Sequence, residues 1–380
     1  MDIKKIKQFL FLVGLAVFVI NIFFPITSYA QELHNDYQGT FHGKVLEILD
    51  EEMREIIGTD TEHLFQTVKV KVLDGPQKGE TITIENDYFE LDKGDKFYFN
   101  YNIDINGRET YGIVNIDRKG SLILLTLIFV GVIVGFGRWQ GVRSLIALTG
   151  SFLAIMFILL PGILNGWNPL FASLIVAGGI LFLAIFFTHG FNRESTVAYA
   201  GTMIAVVLAG LFAVFAVHIT DLSGFGSDES VYLNFNTGGT LNFTALLLGA
   251  FIIGFLGVLD DIAVTQAAVV SELFNSNPEM KRKEVYKRAM RVGREHVGAL
   301  VNTLVLAYTG ASLPLLLYFK LGPSGFATTV NLEIFATEIV RIIVGSAGLI
   351  LTVPIVTFLA VKYLKGYKSE HNHSHGHSFK

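Results

Sequence analysis

The sequence predicts a membrane all-α helical bundle of seven helices, preceded by an N-terminal signal or anchor helix and a small extracytoplasmic β-barrel-like domain. Two observations support this fold class. Hydrophobic residues make up 51% of the 380 residues and charged residues only 16%, against about 25% charged in a typical soluble domain. Mean hydropathy is +0.51, and the apolar residues cluster in runs approaching the roughly 20 residues that cross a bilayer.

The composition also excludes several classes of site and partner. The chain has no cysteine, which rules out disulfides, zinc–thiolate sites, iron–sulfur clusters and cysteine nucleophiles. The formal net charge is −4, so no nucleic-acid partner is predicted, and no motif requires a cofactor. The predicted partners are the lipid bilayer, an unidentified small solute or ion, and either a second copy of the chain or an envelope protein.

Residues 1–30 have the pattern of a targeting segment. Three lysines precede the apolar run Phe9–Phe24, and Ser28 and Ala30 fit a cleavage site for signal peptidase. A cleaved signal peptide is one interpretation. An uncleaved signal anchor, slightly short for a spanning helix, is the other. Both place the next segment outside the cytoplasm.

Residues 31–119 have the pattern of a small β domain of the OB or SH3 type. Apolar and polar residues alternate at Val68–Val72, Thr81–Ile84 and Lys96–Tyr101, and Asp74–Gly79 forms a turn. Weaker patterns predict strands at Gly39–Leu49 and Tyr111–Ile116, and a short helix at Asp50–Ile57. About five short strands in this length predict a closed or half-closed barrel. His34, His42 and His63 are interpreted as scattered surface histidines rather than a metal site.

Residues 120–365 hold seven hydrophobic segments joined by short loops. The predicted spans are 121–137, 143–161, 169–188, 197–219, 241–262, 297–319 and 337–361. Lys and Arg concentrate in the loops that then face the cytoplasm, whereas the three short outer loops hold one basic residue, Lys320. This asymmetry places the C terminus in the cytoplasm. The basic segment Lys281–Arg294 is either a helix near anionic headgroups or a topology determinant alone.

The fifth segment carries two adjacent acids, Asp260 and Asp261, on an otherwise apolar helix. At about 100° per residue, one narrow face holds small and acidic residues within about 40° of Asp261. These residues are Gly254, Gly257, Asp261, Thr265, Ala268 and Glu272. A carboxylate at membrane depth costs roughly 2.5–3.5 kcal/mol, so a functional role is the favoured interpretation. Arg193, Arg294 and His296 are candidate partners.

Two later helices repeat this pattern of small and polar residues on one face. The sixth segment aligns His296, Ala299, Thr303, Ala307, Gly310 and Pro314, and the seventh aligns Glu338, Arg341, Gly345, Gly348 and Thr352. Tight helix packing explains the small residues without any function. Glu338 and Arg341, spaced i and i+3, are predicted to form a structural ion pair. The residues predicted to line a solute or ion pathway are Asp260, Asp261, Thr265, Gln266, Glu272, His296, Asn302, Thr303 and Tyr308.

The tail, residues 366–380, alternates histidine with small polar residues. The candidate metal ligands are His371, His373, His375 and His377. Such tracts bind zinc, nickel or copper weakly. Buffering of a transported metal and an incidental tract are both open interpretations.

Three stretches of the sequence resemble one family. They are Gly257-Val-Leu-Asp260-Asp261-Ile-Ala-Val-Thr265-Gln266, Gly293-Arg-Glu-His296-Val-Gly-Ala-Leu-Val-Asn302-Thr303-Leu-Val-Leu-Ala-Tyr308-Thr-Gly310-Ala-Ser312-Leu-Pro314, and Thr188-His189-Gly190-Phe191-Asn192. With the β domain ahead of the helices, the chain resembles the YibE/F-like family of bacterial membrane proteins over nearly its whole length. The resemblance implies a multi-pass protein of the bacterial cytoplasmic membrane and supplies no substrate.

Three functions fit these features, and the first is favoured. A permease, proton- or cation-coupled, would use Asp260 and Asp261 as its coupling pair. A non-transporting scaffold or sensor would bind an envelope ligand or partner through the β domain. An intramembrane aspartyl hydrolase is disfavoured, because its two carboxylates must face each other and neighbours on one helix point about 100° apart. The chain is therefore not predicted to be an enzyme.

Overall fold

The computed structural model describes residues 39–55, 62–87, 89–103, 107–322 and 325–366. The predicted signal or anchor segment, His34 and the histidines of the tail lie outside these ranges. Residues up to Val132 belong to one compact unit and residues from Ile133 to a second.

The first unit contains an antiparallel sheet curled into a half-barrel. Its strands are β1 (Gly39–Glu55), β2 (Glu62–Val72), β3 (Thr81–Asn86), β4 (Lys96–Ile103) and β5 (Glu109–Ile116). The strand order is β3-β2-β1-β4-β5, and β3 and β5, at the two edges, also approach each other. Val68, Val70 and Val72 are buried, whereas Lys69 and Lys71 between them are exposed. The alternation therefore marks the core face, as the sequence predicts.

The predicted short helix at Asp50–Ile57 is wrong, because residues 50–55 continue strand β1. Glu51 pairs with Gln66, and Glu55 pairs with Glu62. Glu, Met and Arg in this stretch favour a helix locally, and pairing along β2 overrides that preference. Two register shifts, one between Val45 and Glu47 and one between Ile48 and Asp50, let the long strand bend.

His42 is less exposed than a scattered surface histidine would be. Its ring stacks on Tyr98 with centroids 4.8 Å apart, and its Nε2 lies 2.9 Å from Asp117 Oδ2. His63 is exposed, as predicted. Within the described ranges, no three His, Asp or Glu residues come together in a way that could hold a metal ion.

The second unit is helical, and its first helix begins within the first unit. The helices are α1 (Lys119–Ala154), α2 (Leu160–Leu164), α3 (Pro169–Phe182), α4 (Arg193–Ile219), α5 (Asp228–Asn236), α6 (Phe243–Ser276), α7 (Arg282–Ala311), α8 (Leu313–Leu321), α9 (Phe326–Val330) and α10 (Glu333–Tyr363). Two π-helical turns, Ile155–Leu159 and Leu183–Phe187, follow α1 and α3.

Helix α1 is broken at Arg138, which has φ 48° and ψ −129°. A Cβ added at Gly141 would lie 2.4 Å from the carbonyl oxygen of Ile133, so the backbone approaches itself closely here. This break separates the first two predicted spans. A conformation this rare for a residue with a side chain costs about 1–3 kcal/mol, which the surrounding contacts must offset.

Several helices are long and apolar enough to cross a membrane. Counted as continuous elements in the described residues, there are five, or six if α7 and α8 form one span bent by 62°. The seven predicted segments all fall on these elements. The count of predicted segments exceeds the count of observed elements for two reasons. The first two segments share the element broken at Arg138, and the sixth segment bends at Ser312.

The core of the second unit lies where α4, α6 and α10 meet. Glycines allow these helices to approach closely. A Cβ at Gly201 on α4 would lie 2.6 Å from Val356 Cγ2, and one at Gly348 on α10 would lie 2.9 Å from Ala209 Cβ. These contacts leave one face of α6 turned away from the core.

Candidate functional site

A cavity of about 490 Å³ lies beside α6, between this helix, the part of α1 after the break, and α3. Its lining residues are Ser144, Ala147, Leu148, Ser151, Ile155, Ile180, Leu181, Ala184, Ile185, Thr188, His189, Ile253, Leu256, Gly257, Asp260, Asp261, Val264 and Thr265. The volume falls within the roughly 300–1,000 Å³ that is usual for small-molecule sites. The predicted residues Asp260, Asp261 and Thr265 are therefore brought together in one cavity.

The amphipathic pattern of α6 directs the acids into this cavity. On the core side, Leu259, Ile262 and Ala263 are buried. Asp261 is exposed and Asp260 is half-buried. Burial of the apolar face against α4 and α10 thus fixes the rotation of α6, and the carboxylates are left to face the open side.

The opposite wall of the cavity adds hydroxyl groups and a histidine. Ser144 and Ser151 are seven residues apart on α1, which places them on one helical face. Thr188 and His189 come from the turn before α4. Ser151 Oγ donates to the carbonyl oxygen of Ala147 at 2.9 Å. Polar groups from three segments therefore surround the carboxylates, which can hold water, a cation or a small polar solute.

The turn that positions His189 is fixed by a helix cap. Asn192 Oδ1 accepts from Ser195 N at 2.7 Å, as expected of an N-cap residue, and its Nδ2 donates to the carbonyl oxygen of His189 at 3.0 Å. Gly190 has φ +83°, a conformation that glycine adopts without strain. The sequence placed His189 in one of the resemblance stretches but did not predict that it lines a cavity with the acids.

Both walls opposite the acids contain a π-helical turn. Ile155 opens the first, and Ala184 and Ile185 lie in the second. Such turns are rare and frequently occur at functional sites.

Within the described ranges, neither carboxylate is part of an ion pair, so the candidate partners Arg193, Arg294 and His296 do not neutralise the acids here.

Gln266 lies outside the cavity, at a junction of three helices. Its Nε2 donates to the carbonyl oxygen of Ala289 at 3.0 Å and to Thr357 Oγ1 at 2.7 Å. A Cβ at Gly293 would lie 2.9 Å from Gln266 Oε1 and 2.5 Å from Val353 Cγ1. Two of the stretches that carry the family resemblance therefore meet here for packing.

The other predicted pathway residues also lie outside the cavity. Glu272 is exposed three turns beyond Asp261. Thr303 and Asn302 are exposed on α7, where Thr303 Oγ1 donates to the carbonyl oxygen of Ala299 at 3.0 Å. His296 is half-buried on the same helix. Tyr308 contacts α6 instead, since its hydroxyl donates to the carbonyl oxygen of Gly254 at 3.4 Å.

A second polar centre surrounds Arg341 on α10. Arg341 Nη2 lies 3.2 Å from Glu338 Oε1, the geometry expected of the predicted ion pair. The guanidinium carbon also lies 5.4 Å from the centroid of the Phe251 ring and 5.8 Å from that of Tyr308, within the range of cation–π attraction. The pair therefore connects α10 with α6 and α7.

Several residues that line the cavity were not predicted from the sequence, because their sequence patterns are weak. Ser144 and Ser151 are ordinary hydroxyls in an apolar helix, and their shared face becomes meaningful only when α6 is placed opposite. His189 lay within the shortest of the resemblance motifs. A spacing rule finds residues on one helix, whereas this cavity is assembled from three separate segments.

One of the three comparisons with known proteins identifies a family. The sequence profile described as YibE/F-like protein matches residues 125–366, which include every residue of the cavity. Comparison with curated proteins found no match, and comparison with solved structures found none. The profile covers more than half of the chain and contains the acid pair, the His189 turn and the Gln266 junction, and the chain therefore belongs to the YibE/F-like family.

Proposed function

We propose that this chain is a permease for a small solute or ion, proton- or cation-coupled through Asp260 and Asp261. The observation that carries the proposal is the cavity in which the two carboxylates face hydroxyls and His189 from other segments. Charged groups within apolar spans are costly, and they mark ion pathways and proton relays.

The position of the acids along α6 fits a pathway that opens toward the cytoplasm. Helix α6 has 34 residues, which makes it about 51 Å long at 1.5 Å per residue. Asp261 then lies about 27 Å from Phe243, near the inner edge of a hydrocarbon core about 30 Å thick. Cargo entering from the cytoplasmic side would reach the carboxylates after crossing little or none of the apolar core.

The experiment compares the full chain with Asp261→Asn in proteoliposomes. Proton flux is followed with an enclosed pH-sensitive dye, and cation flux with a panel of monovalent and divalent ions. We expect flux through the parent chain and at least a tenfold loss in the variant, because the amide keeps the shape but cannot bind a proton or cation as a charge. Equal flux in the two proteins would refute the coupling role.

The matched control is Glu279→Gln, the same acid-to-amide change at an exposed site between α6 and α7. Its flux is expected to equal that of the parent chain. The Tm and the elution volume of both variants are measured in detergent, so that a folding defect is separated from a transport defect.

The scaffold or sensor function is a second candidate, supported by one observation. The β unit has its own core of buried valines and phenylalanines, so it can serve as an independent binding module. Removal of residues 39–116 discriminates between the candidates. A permease keeps flux through the helical unit, whereas a sensor without flux loses its response to the envelope ligand.

A further inference from the structure

A groove of about 520 Å³ runs along the surface between α4 and α10, away from the acid cavity. Its lining residues are Arg193, Thr196, Val197, Ala200, Ile204, Leu359 and Tyr363. In the predicted topology this end of both helices faces the cytoplasm. The groove therefore lies at the depth of the inner leaflet.

The cytoplasmic end of the groove is polar and basic. Arg193 contributes a guanidinium from the first turn of α4, where the helix dipole also favours an anion. Thr196 lines the groove beside it, with its hydroxyl donating to the carbonyl oxygen of Asn192 at 2.8 Å. From α10, Tyr363 contributes a phenol, and Lys362 Nζ lies 5.2 Å from the centroid of the Tyr363 ring.

The acid next to Arg193 in sequence is directed to another helix. Glu194 Oε1 accepts from Ser271 Oγ at 2.6 Å, which holds this carboxylate against α6. Two cationic side chains, Arg193 and Lys362, therefore lie at this end of α4 and α10.

The rest of the groove is apolar and continues along α4. Ala200 and Ile204 follow Thr196 at intervals of four residues, so they lie on the same helical face. Ile204 is 45% exposed, and Leu211 further along this side of α4 is 63% exposed. Leu359 forms the facing wall from α10. A basic, hydroxyl-bearing end joined to an apolar channel complements a charged headgroup joined to an acyl chain.

We infer that this groove binds an anionic phospholipid of the inner leaflet. The phosphate lies among Arg193, Tyr363 and Lys362, and one acyl chain follows Ala200 and Ile204. Basic pockets between membrane helices on the cytoplasmic side recognise such headgroups. The inference uses the membrane placement and does not depend on transport through the acid cavity.

The experiment measures lipid retention by the purified full chain. The protein is incubated in detergent with equal amounts of phosphatidylglycerol and phosphatidylcholine, and bound lipid is counted by native mass spectrometry. We expect the parent chain to retain phosphatidylglycerol at least fivefold over phosphatidylcholine. The double variant Arg193→Gln with Lys362→Gln is expected to lose this preference.

A matched control removes two positive charges from the exposed face of strand β2, through Lys69→Gln with Lys71→Gln. It is expected to keep the preference. A further variant, Ala200→Trp, fills the apolar channel and leaves the charges in place, and it is expected to reduce retention of both lipids. Equal retention of the two lipids by the parent chain, or equal loss in both double variants, would overturn the assignment.

Discussion

Helices α6 and α10 carry similar faces of small and polar residues, yet their surroundings differ. On α10, Gly345, Gly348 and Thr352 are buried against neighbouring helices, and Thr352 Oγ1 donates to its own helix at the carbonyl oxygen of Gly348. On α6, Gly257 and Asp261 are open to the cavity. One face is a packing seam, and the other is the wall of a candidate site.

Composition alone therefore does not separate packing from function in such helices. Small residues serve close approach wherever another helix lies against them. The same residues next to an acid, with the facing helix held at a distance, line an open cavity. Variants of the two faces should therefore fail in different ways, through stability on α10 and through flux on α6.

The largest expected effect is on stability, from Gly348→Val. The new side chain would overlap Ala209, because even a Cβ would lie 2.9 Å from Ala209 Cβ. Overpacking costs about 1–3 kcal/mol, and about 2–4 °C of Tm is lost per kcal/mol in a domain of this size. We expect a Tm lower by about 5–10 °C in detergent.

The paired variant for this test is Gly257→Val, where no described atom lies within 4 Å of the added Cβ. Its Tm should stay within about 2 °C of the parent chain, while the valine narrows the cavity. A larger loss of Tm at Gly257 than at Gly348 would reverse the assignment of the two faces.

The next effect belongs to Gln266→Leu, which tests whether this residue stabilises the helix junction or lines a pathway. The substitution removes two hydrogen bonds, from the amide to the carbonyl oxygen of Ala289 and to the hydroxyl of Thr357, which keeps its own bond to the carbonyl oxygen of Val353. Each lost hydrogen bond costs about 1 kcal/mol. We expect a Tm about 3–8 °C lower, with flux per folded molecule unchanged. Loss of flux without loss of Tm would instead support the original prediction that Gln266 lines a solute or ion pathway.

A smaller effect is expected from Thr265→Val, the neighbouring residue that does line the cavity. The change keeps the shape and removes one hydroxyl. A neutral hydrogen bond contributes about 1 kcal/mol, so flux should fall about fivefold while the Tm stays constant. Proteoliposome flux and detergent melting are measured on the same preparation, and a fall in Tm with normal flux would contradict the prediction.

The smallest effect concerns Glu109, an acid whose contacts are structural. Its carboxylate accepts from the hydroxyls of Tyr111 at 2.8 Å and Tyr101 at 2.9 Å, and these bonds lower the pKa of Glu109. Burial of the Tyr111 hydroxyl is the larger cause, and the bond to Glu109 the next, of a pKa of Tyr111 raised to about 12. Because the folded-state pKa of Glu109 is depressed, its stabilising contribution is present above the unfolded pKa. That contribution is lost as pH falls through the folded pKa.

The measurement is hydrogen exchange of β4 and β5 amides in the full chain between pH 3 and pH 7. Glu109→Gln should reduce protection slightly at neutral pH and make no difference at the acidic end, where the parent carboxyl is protonated. Greater protection in the variant at pH 7 would show that the contacts of Glu109 are not stabilising. Transport should not respond to this substitution, in contrast to Asp261→Asn.

The sequence predicted the elements better than their assembly. Alternation identified β2, β3 and β4, where one face is buried, and weaker patterns indicated β1 and β5. The extension of β1 through residues 50–55 was missed, because it depends on the partner strand. The apolar runs located the long helices, and the break at Arg138 lies in the gap between the predicted spans 121–137 and 143–161. The short helices α5 and α9 lie between predicted spans and were not predicted. For the site, helical spacing grouped Asp261 with Thr265, while His189 and Ser151 come from other segments and required the packing of α1, α3 and α6.

The two π-helical turns opposite Asp260 and Asp261 change the direction in which the later side chains of each cavity wall point. A π-helical turn holds one residue more than an α-helical turn, so everything after it is rotated by roughly 100° relative to a regular helix. Each of these two cavity walls thus contains one residue more than a regular α-helix of the same length would need. If the position of the π-helical turn shifted along Ile155–Leu159 or Leu183–Phe187, different side chains would turn toward the carboxylates. The backbone of each helix would stay hydrogen-bonded throughout.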